Sequence, residues 1–520
     1  MRKYSSYTYF LFLSLSFVFI GASCTKDFTE DNTNPNAIAT ISSAELPYLF
    51  TKALSSADID RAYYQTTQNY FADIYAQYFA GSTTTERYTI NTTYTGRMYT
   101  VMYVYMGAQL KTIMDNTDST SGENALANIV WVFGFHRLTD VLGPIPYFDA
   151  LTDSTTIRYD AMKDIYADFF TRLTSAVNHL KNLDTTQAIM ADGDIVYDGD
   201  ITKWIKFANS LKLRLALRIS NVDPTTAKEE AEEAVASGVL EDNDDNALVE
   251  KSLSGLDENG LTQVAYWNGF SMSSTIYSYL SGYEDPRLPI LFQPSGLTGA
   301  YGSRRNGMTV TDLNVTSNTS AYNSNVGTYW VTYSSDGTTI TPNFTASQHM
   351  MCAAESYFLR AEGALNGWSM GGTAQSLYEA GIEHSLTQWG ISDATTISDY
   401  ISSTNLPTDP GDYYSSDAVS TTPIKWASTE SIQRKQIGTQ KWLAVFPDGW
   451  EAWAEFRRTG YPDMYDLISS DNTDLPVGTF IKRLTYPATE ATSNEAGLAT
   501  GITLLGGQDK ASVQLWWDVD

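Results

Sequence analysis

The chain has 520 residues and a formal net charge of −27, from 60 acidic and 33 basic side chains. An acidic excess of this size repels phosphate backbones, and no basic groove with interleaved aromatics offsets it, so nucleic acid is excluded as a partner. Cys24 and Cys352 are the only cysteines, so there is no disulfide framework, and the length suits two or three ordinary domains or one large helical one.

Arg2 and Lys3 open the chain, and an apolar run follows from Tyr9 to Ile20. At about 12 residues it is shorter than the roughly 20 that span a bilayer, and it fits the apolar region of a secretory signal. Gly21, Ala22 and Ser23 are small, and Cys24 is followed by the polar, acidic stretch Thr25 to Asp31. Residues 1–23 are therefore expected to be a lipoprotein signal peptide, with Cys24 as the acylated, palmitate-bearing first residue. One acyl chain anchors only marginally, but a multiply acylated cysteine holds a protein on a membrane without a spanning helix. Residues 24–45, with Asn32-Thr33-Asn34-Pro35-Asn36, read as a lipidated flexible tether, and 46–520 as a single domain.

From Leu46 apolar residues recur every three to four positions. Helices are expected over Tyr63–Ala80, Tyr94–Met114, Asn124–Asp140 and Tyr159–Leu183, with an extended break at Gly143-Pro144-Ile145-Pro146. Asp200 is a candidate N-cap for a helix whose stripe is Trp204, Ala208, Leu211, Leu215 and Ile219. Lys203, Lys206, Lys212, Arg214 and Arg218 fall on its other faces. After Asn221-Val222-Asp223-Pro224, a partner helix starts at Thr225 and runs to Ser237. Helices in such pairs resemble tetratricopeptide-type stacks without a strict repeat. Residues 241–345 are rich in Gly, Asn, Ser, Thr and Tyr and read as a large loop-rich insertion packed on the helices. Helices resume at Ala346–Leu365, Thr373–Trp389, Ser428–Val445 and Asp448–Arg458. The stretch 404–423 and the end, 460–520, look irregular. The fold class is mainly α, a tetratricopeptide-like helical-pair scaffold carrying that insertion.

Catalytic chemistry is largely missing from the sequence. His136, His179, His349 and His384 show no paired metal-ligand spacing. There is no phosphate-binding glycine loop and no nucleophile elbow. Asp242, Asp244 and Asp245 resemble part of a calcium loop, but Ala247 and Leu253 stand where the loop needs Gly and Glu. A solvated acidic turn is the reading, and structural calcium lacks a supporting motif. Cys352, in an apolar helical run, reads as a buried inert thiol. Glu451 and Glu455, one helical turn apart beside Arg457 and Arg458, read as helix salt bridging rather than a catalytic pair.

Several segments converge on one family. They are the tether from Asp27 to Asn36, Asp140-Val-Leu-Gly-Pro-Ile-Pro-Tyr147, Gly199–Arg218, Asp285-Pro-Arg-Leu288, Ala353–Glu362 and Gln440–Pro462. In this order behind a lipid cysteine, the chain resembles a SusD/RagB-type outer-membrane lipoprotein of Bacteroidota. The resemblance implies a tetratricopeptide-like scaffold on the cell surface, acting as the lid of a TonB-dependent, SusC-like transporter. It implies a binder of oligosaccharide, or alternatively of peptide, with no covalent chemistry and no cofactor. A surface glycan hydrolase is the less favoured alternative. Trp204, Trp442 and Trp453 read as core, and Asp285-Pro286-Arg287 as a structural turn with an ion pair.

No ligand residue carries over by motif. A sugar needs flat aromatic faces flanked by amides, carboxylates or Arg, placed on loops over a rigid scaffold. Two stretches supply them: Arg87, Tyr88, Asn91 and Tyr94; and Trp267, Asn268, Tyr301, Arg304, Asn306, Tyr329 and Trp330.

Overall fold

Asp200 starts the helix that organises the scaffold. Its carboxylate accepts from the backbone N–H groups of Thr202 at 2.8 Å and Lys203 at 3.2 Å, satisfying donors that a first turn leaves open. Helix Ile201–Arg218 follows. Asp223 caps the next helix, Pro224–Ser237, through the N–H of Thr226, and the two pack on each other. Ser121 opens Gly122–Leu142 in the same way, Thr373 opens Ala374–Thr387, and Asp448 opens Gly449–Thr459.

Gly122–Leu142 packs on Met162–Lys181, which packs on Ile201–Arg218. Ala353–Leu365 packs on Ala374–Thr387 and on Glu430–Ala444. This is the mainly α, tetratricopeptide-like arrangement of helix pairs, in which each element buries its apolar stripe against a neighbour. Trp204, Trp442 and Trp453 are buried in it. This computed structural model describes residues 41–154 and 156–519. The signal segment, Cys24 and most of the expected tether lie outside the described residues. The unit that begins at Leu46 holds all of these elements, and no described helix is long and apolar enough to cross a membrane.

The cations on the other faces of helix Ile201–Arg218 are drawn into the fold. Lys212, Arg214 and Arg218 are buried. Lys212 pairs with Glu230 at 2.6 Å on the partner helix. Arg214 pairs with Glu355 and Arg218 with Glu451, both at 2.6 Å. These side chains are ion-pair bolts between helices.

Element boundaries also depart from the sequence reading. The helix expected to reach Ala80 is α-helical over Arg61–Tyr64 and continues as a π-helix over Gln65–Asp73. Phe79–Ala80 is a strand, antiparallel to Ser271–Met272. A second π segment, Thr100–Gly107, interrupts the helix after Thr92–Tyr99. Gln348–Met351 pairs with Ala247–Val249 before helix Ala353–Leu365 begins. Ala394–Ser402 is helical, and the C-terminal region carries helices Glu490–Ser493 and Glu495–Leu504.

The insertion at 241–345 is built from short pieces. It contains helices Gly260–Tyr266 and Ser274–Gly282, and two-stranded sheets joining Phe292–Gln293 to Asn325–Val326 and Val331–Tyr333 to Ile340–Pro342. The Phe79–Ala80 pairing fastens it to the N-terminal helices, and Phe79 stacks on Phe270 with ring centroids 4.1 Å apart.

Candidate functional site

The residues selected from the sequence divide sharply. Arg87 is buried; its Nε donates to Asp471 at 2.9 Å and its Nη1 to the Met308 carbonyl at 3.1 Å. Tyr88 is buried edge-on against Tyr75. Arg304 donates to the carbonyls of Ala80 at 2.7 Å and Asn318 at 3.1 Å. Asn306 donates to the Phe79 carbonyl at 2.8 Å and to Glu86 at 2.9 Å. Trp330 is buried against Trp389 and Phe446. Arg87, Tyr88, Arg304, Asn306 and Trp330 therefore correct the expectation: all five are buried against the protein itself rather than presented to a ligand.

Other candidates reach the surface singly. Asn91 is exposed, and its carboxamide oxygen caps helix Thr92–Tyr99 by accepting from Thr93 at 3.0 Å. Tyr94 is half-buried beside Tyr70, with the Arg97 guanidinium 5.1 Å from its ring centre. Tyr301 is half-buried, and burial raises its hydroxyl above the ordinary tyrosine range. Tyr329 is half-buried and donates to the Ser347 carbonyl at 3.3 Å.

Trp267 and Asn268 belong to an open ledge. Asn259 caps helix Gly260–Tyr266 by accepting from Thr262 at 2.8 Å, while its Nδ2 donates to the Ala346 carbonyl at 3.0 Å. The helix ends by presenting two rings to solvent: Tyr266 is 43% exposed and Trp267 57%. Asn268 follows in the left-handed region, at φ 53°, a conformation asparagine tolerates better than most residues. Asn325 fastens this turn, donating to the Ala265 carbonyl at 2.9 Å and to Asn268 Oδ1 at 3.4 Å. Phe344 stands edge-on to Tyr266, 6.1 Å away. Gly260 sets the height of the ledge, because a Cβ there would lie 2.2 Å from Tyr64 Cβ.

An arrangement of this kind suits a ligand with an apolar ring face and hydroxyls around it. A ring face offers its negative π surface to C–H groups, and an adjacent amide donates and accepts at hydroxyls. Sequence reasoning missed Tyr266, Phe344 and Asn325. The signal available was the run Tyr266-Trp267-Asn268-Gly269 itself, consecutive aromatics ending in turn residues.

Glu451, Glu455, Asp285 and Asp245 are held in ion pairs. Glu451 lies 2.6 Å from Arg218 and 2.9 Å from Lys441, and Glu455 lies 2.7 Å from Arg458. Burial alone would raise the Glu451 carboxyl, but Arg218, Lys441 and Arg214 hold it at about 2. The expected salt bridging thus extends across three helices. Asp285 and Arg287 form a buried pair at 2.7 Å. In the acidic turn, Asp245 pairs with Lys206 at 2.8 Å and accepts from the Asp242 N–H at 3.1 Å. Among the described residues no cluster of three or more His, Cys, Asp or Glu side chains could hold a metal. Cys352 is buried at the start of helix Ala353–Leu365, and burial pushes its thiol up to about 12, the direction of an inert thiol.

A family model described as SusD-like, the SusD and RagB outer membrane lipoproteins, matches residues 26–518. The fold matches a chitin-binding SusD homologue from Flavobacterium johnsoniae with a TM-score of 0.81 and 32% identity, covering 92% of this chain and 99% of that one. It matches a SusD-like protein from Bacteroides thetaiotaomicron with a TM-score of 0.81 and 29% identity, covering 91% and 99%. It also matches a chitin-binding protein with a TM-score of 0.75 and 28% identity, covering 91% and 100%. No curated protein matches the chain significantly. With the family model spanning almost the whole length and the helical scaffold superposing on its members, the chain belongs to the SusD/RagB family of outer-membrane lipoproteins.

Proposed function

We propose that this protein captures oligosaccharide at the cell surface and passes it to a SusC-like, TonB-dependent transporter for import, while Cys24 holds it on the outer membrane. The ledge of Tyr266, Trp267 and Asn268 carries this reading: an exposed tryptophan beside an amide, on a turn fixed by Asn325, is built for stacking on a sugar ring. The chitin-binding relatives support a glycan, and chitin oligosaccharides are the first ligands to try.

Binding without cleavage is part of the proposal. Glycoside hydrolysis needs two carboxyl groups facing each other across the scissile bond, whereas Glu451 and Glu455 are buried and neutralised by cations. Isothermal titration of the purified protein against chitin, starch-type and other oligosaccharides, with a peptide panel and product analysis alongside, tests the reading. Saturable binding to one glycan class without released product is expected. Binding to peptides alone would replace the sugar with a peptide ligand, and released product would make the protein a hydrolase.

A further inference from the structure

We propose that a cavity beside Tyr99 and Tyr103 is a second saccharide site, taking a single neutral sugar ring; this rests on the glycan reading above. The cavity has a volume of about 280 Å³ and shares no lining residue with the ledge. Tyr99, Tyr103, Leu151, Glu490, Ser493 and Asn494 are among its walls.

Each ring is locked before any ligand arrives. Tyr99 and Tyr103 pack edge to face with centroids 5.2 Å apart. The Tyr103 hydroxyl donates to the Pro146 carbonyl at 2.5 Å. The Tyr99 hydroxyl donates to the Tyr159 hydroxyl at 3.1 Å, which donates to Glu490 Oε2 at 2.9 Å. Asn494 ties the opposite wall: its Nδ2 donates to the Ile157 carbonyl at 2.8 Å and its Oδ1 accepts from the Ile157 N–H at 3.1 Å. Preorganised rings and a fixed amide reduce the ordering cost of binding.

Glu490 determines the class of ligand. Its Oε2 is engaged by Tyr159 and by Asn494, at 3.3 Å. Its Oε1 takes no hydrogen bond from any described residue, and no described cation pairs with it. A carboxylate oxygen with spare acceptor capacity, beside apolar Leu151 and two tyrosines, suits the hydroxyls of a pyranose. The same charge repels an anionic sugar.

Saturation-transfer NMR on the full chain, purified in detergent, with N-acetylglucosamine and glucuronate as probes, tests the site. The wild type and a Trp267→Ala, Asn268→Ala variant should both give signal with N-acetylglucosamine. Adding Glu490→Ala, or filling the cavity with Ser493→Trp, should abolish the remaining signal, with the melting temperature unchanged in the Ser493→Trp variant, whose side chain is exposed. Silence of the ledge variant beside a responding wild type overturns the second site alone. A silent wild type overturns the glycan reading as well. Retention of signal in both cavity variants, or equal signal from glucuronate, also overturns the site.

Discussion

The Arg214 guanidinium lies 2.6 Å from the Glu355 carboxylate, and each side chain is only 1% exposed. The pair bolts helix Ile201–Arg218 to helix Ala353–Leu365, which are separated by the whole insertion. Removing one partner of a buried pair strands the other charge and costs about 3–5 kcal/mol. Glu355→Ala should therefore lower stability by that order in urea denaturation. Asp115→Ala, which breaks the exposed Lys111–Asp115 pair at 2.8 Å, should change it by less than about 1 kcal/mol. Equal losses in the two variants would show that the buried network does not hold the scaffold.

The proposed ledge site can be tested apart from folding. Trp267 is 57% exposed, so Trp267→Ala should leave the melting temperature close to wild type, as exposed substitutions do within about 0.5 kcal/mol. Affinity for the oligosaccharide should fall about tenfold or more, equivalent to about 1.4 kcal/mol. Unchanged affinity by titration calorimetry would remove Trp267 from the site.

Gly260 links the ledge to the N-terminal helix. A Cβ there meets Tyr64 Cβ at 2.2 Å and Cγ at 2.4 Å, so Gly260→Ala must displace helix Gly260–Tyr266. A destabilisation of about 1–3 kcal/mol is expected from overpacking, with weaker ligand binding because the rings move with the helix. Gly96 is the control: its nearest foreign atom is Pro487 Cβ at 3.8 Å. Gly96→Ala, inside helix Thr92–Tyr99, should stabilise by about 0.5–1 kcal/mol. Losses of equal size in both variants would argue against a specific Gly260 contact.

Helix pairs were legible in the sequence because capping and the 3.6-residue stripe are local: Asp200 caps as its position suggests. The ion-pair network was not, because Arg214 finds Glu355 only after the chain has folded back across the insertion. Strands as short as Phe79–Ala80 carry no period of their own and exist only through a remote partner. The loop-rich region misled in a specific way. With little regular structure, this region and the strand it joins leave backbone carbonyls that need side-chain donors, and Arg304 and Asn306 supply them to Asn318 within it and to Phe79 and Ala80 across the join. Polar residues that looked like ligand contacts are the hydrogen bonds a longer sheet would have provided.

The proposed anchor has its own test. Cys24→Ala should fold and bind oligosaccharide like the wild type, since the ledge is built entirely from residues after Leu46. It should leave the outer-membrane fraction on cell fractionation. Persistence in that fraction without acylation would mean that docking on another membrane component retains the protein.

Buried carboxyls set the pH dependence of stability. Burial raises Asp58, Asp73 and Glu86 to about 7, well above the ordinary 3.8 for aspartate and 4.5 for glutamate. Between about pH 4 and 7 the folded protein then holds more protons than the unfolded chain, so stability falls as pH rises through that window. Glu451 and Glu455 act in the opposite sense. Their carboxyls are held below 4.5 in the fold, and the stability they confer is lost as pH drops through their folded values. The melting temperature should peak near pH 4–5 and fall by a few degrees towards pH 8. Asp73 accepts from Tyr64 at 2.9 Å and Gln68 at 3.1 Å, so Asp73→Asn keeps a similar shape while removing one titrating group. It should flatten the decline between pH 5 and 8 in thermal scans. A wild-type melting temperature that rises across that range would mean these carboxyls are already ionised in the fold.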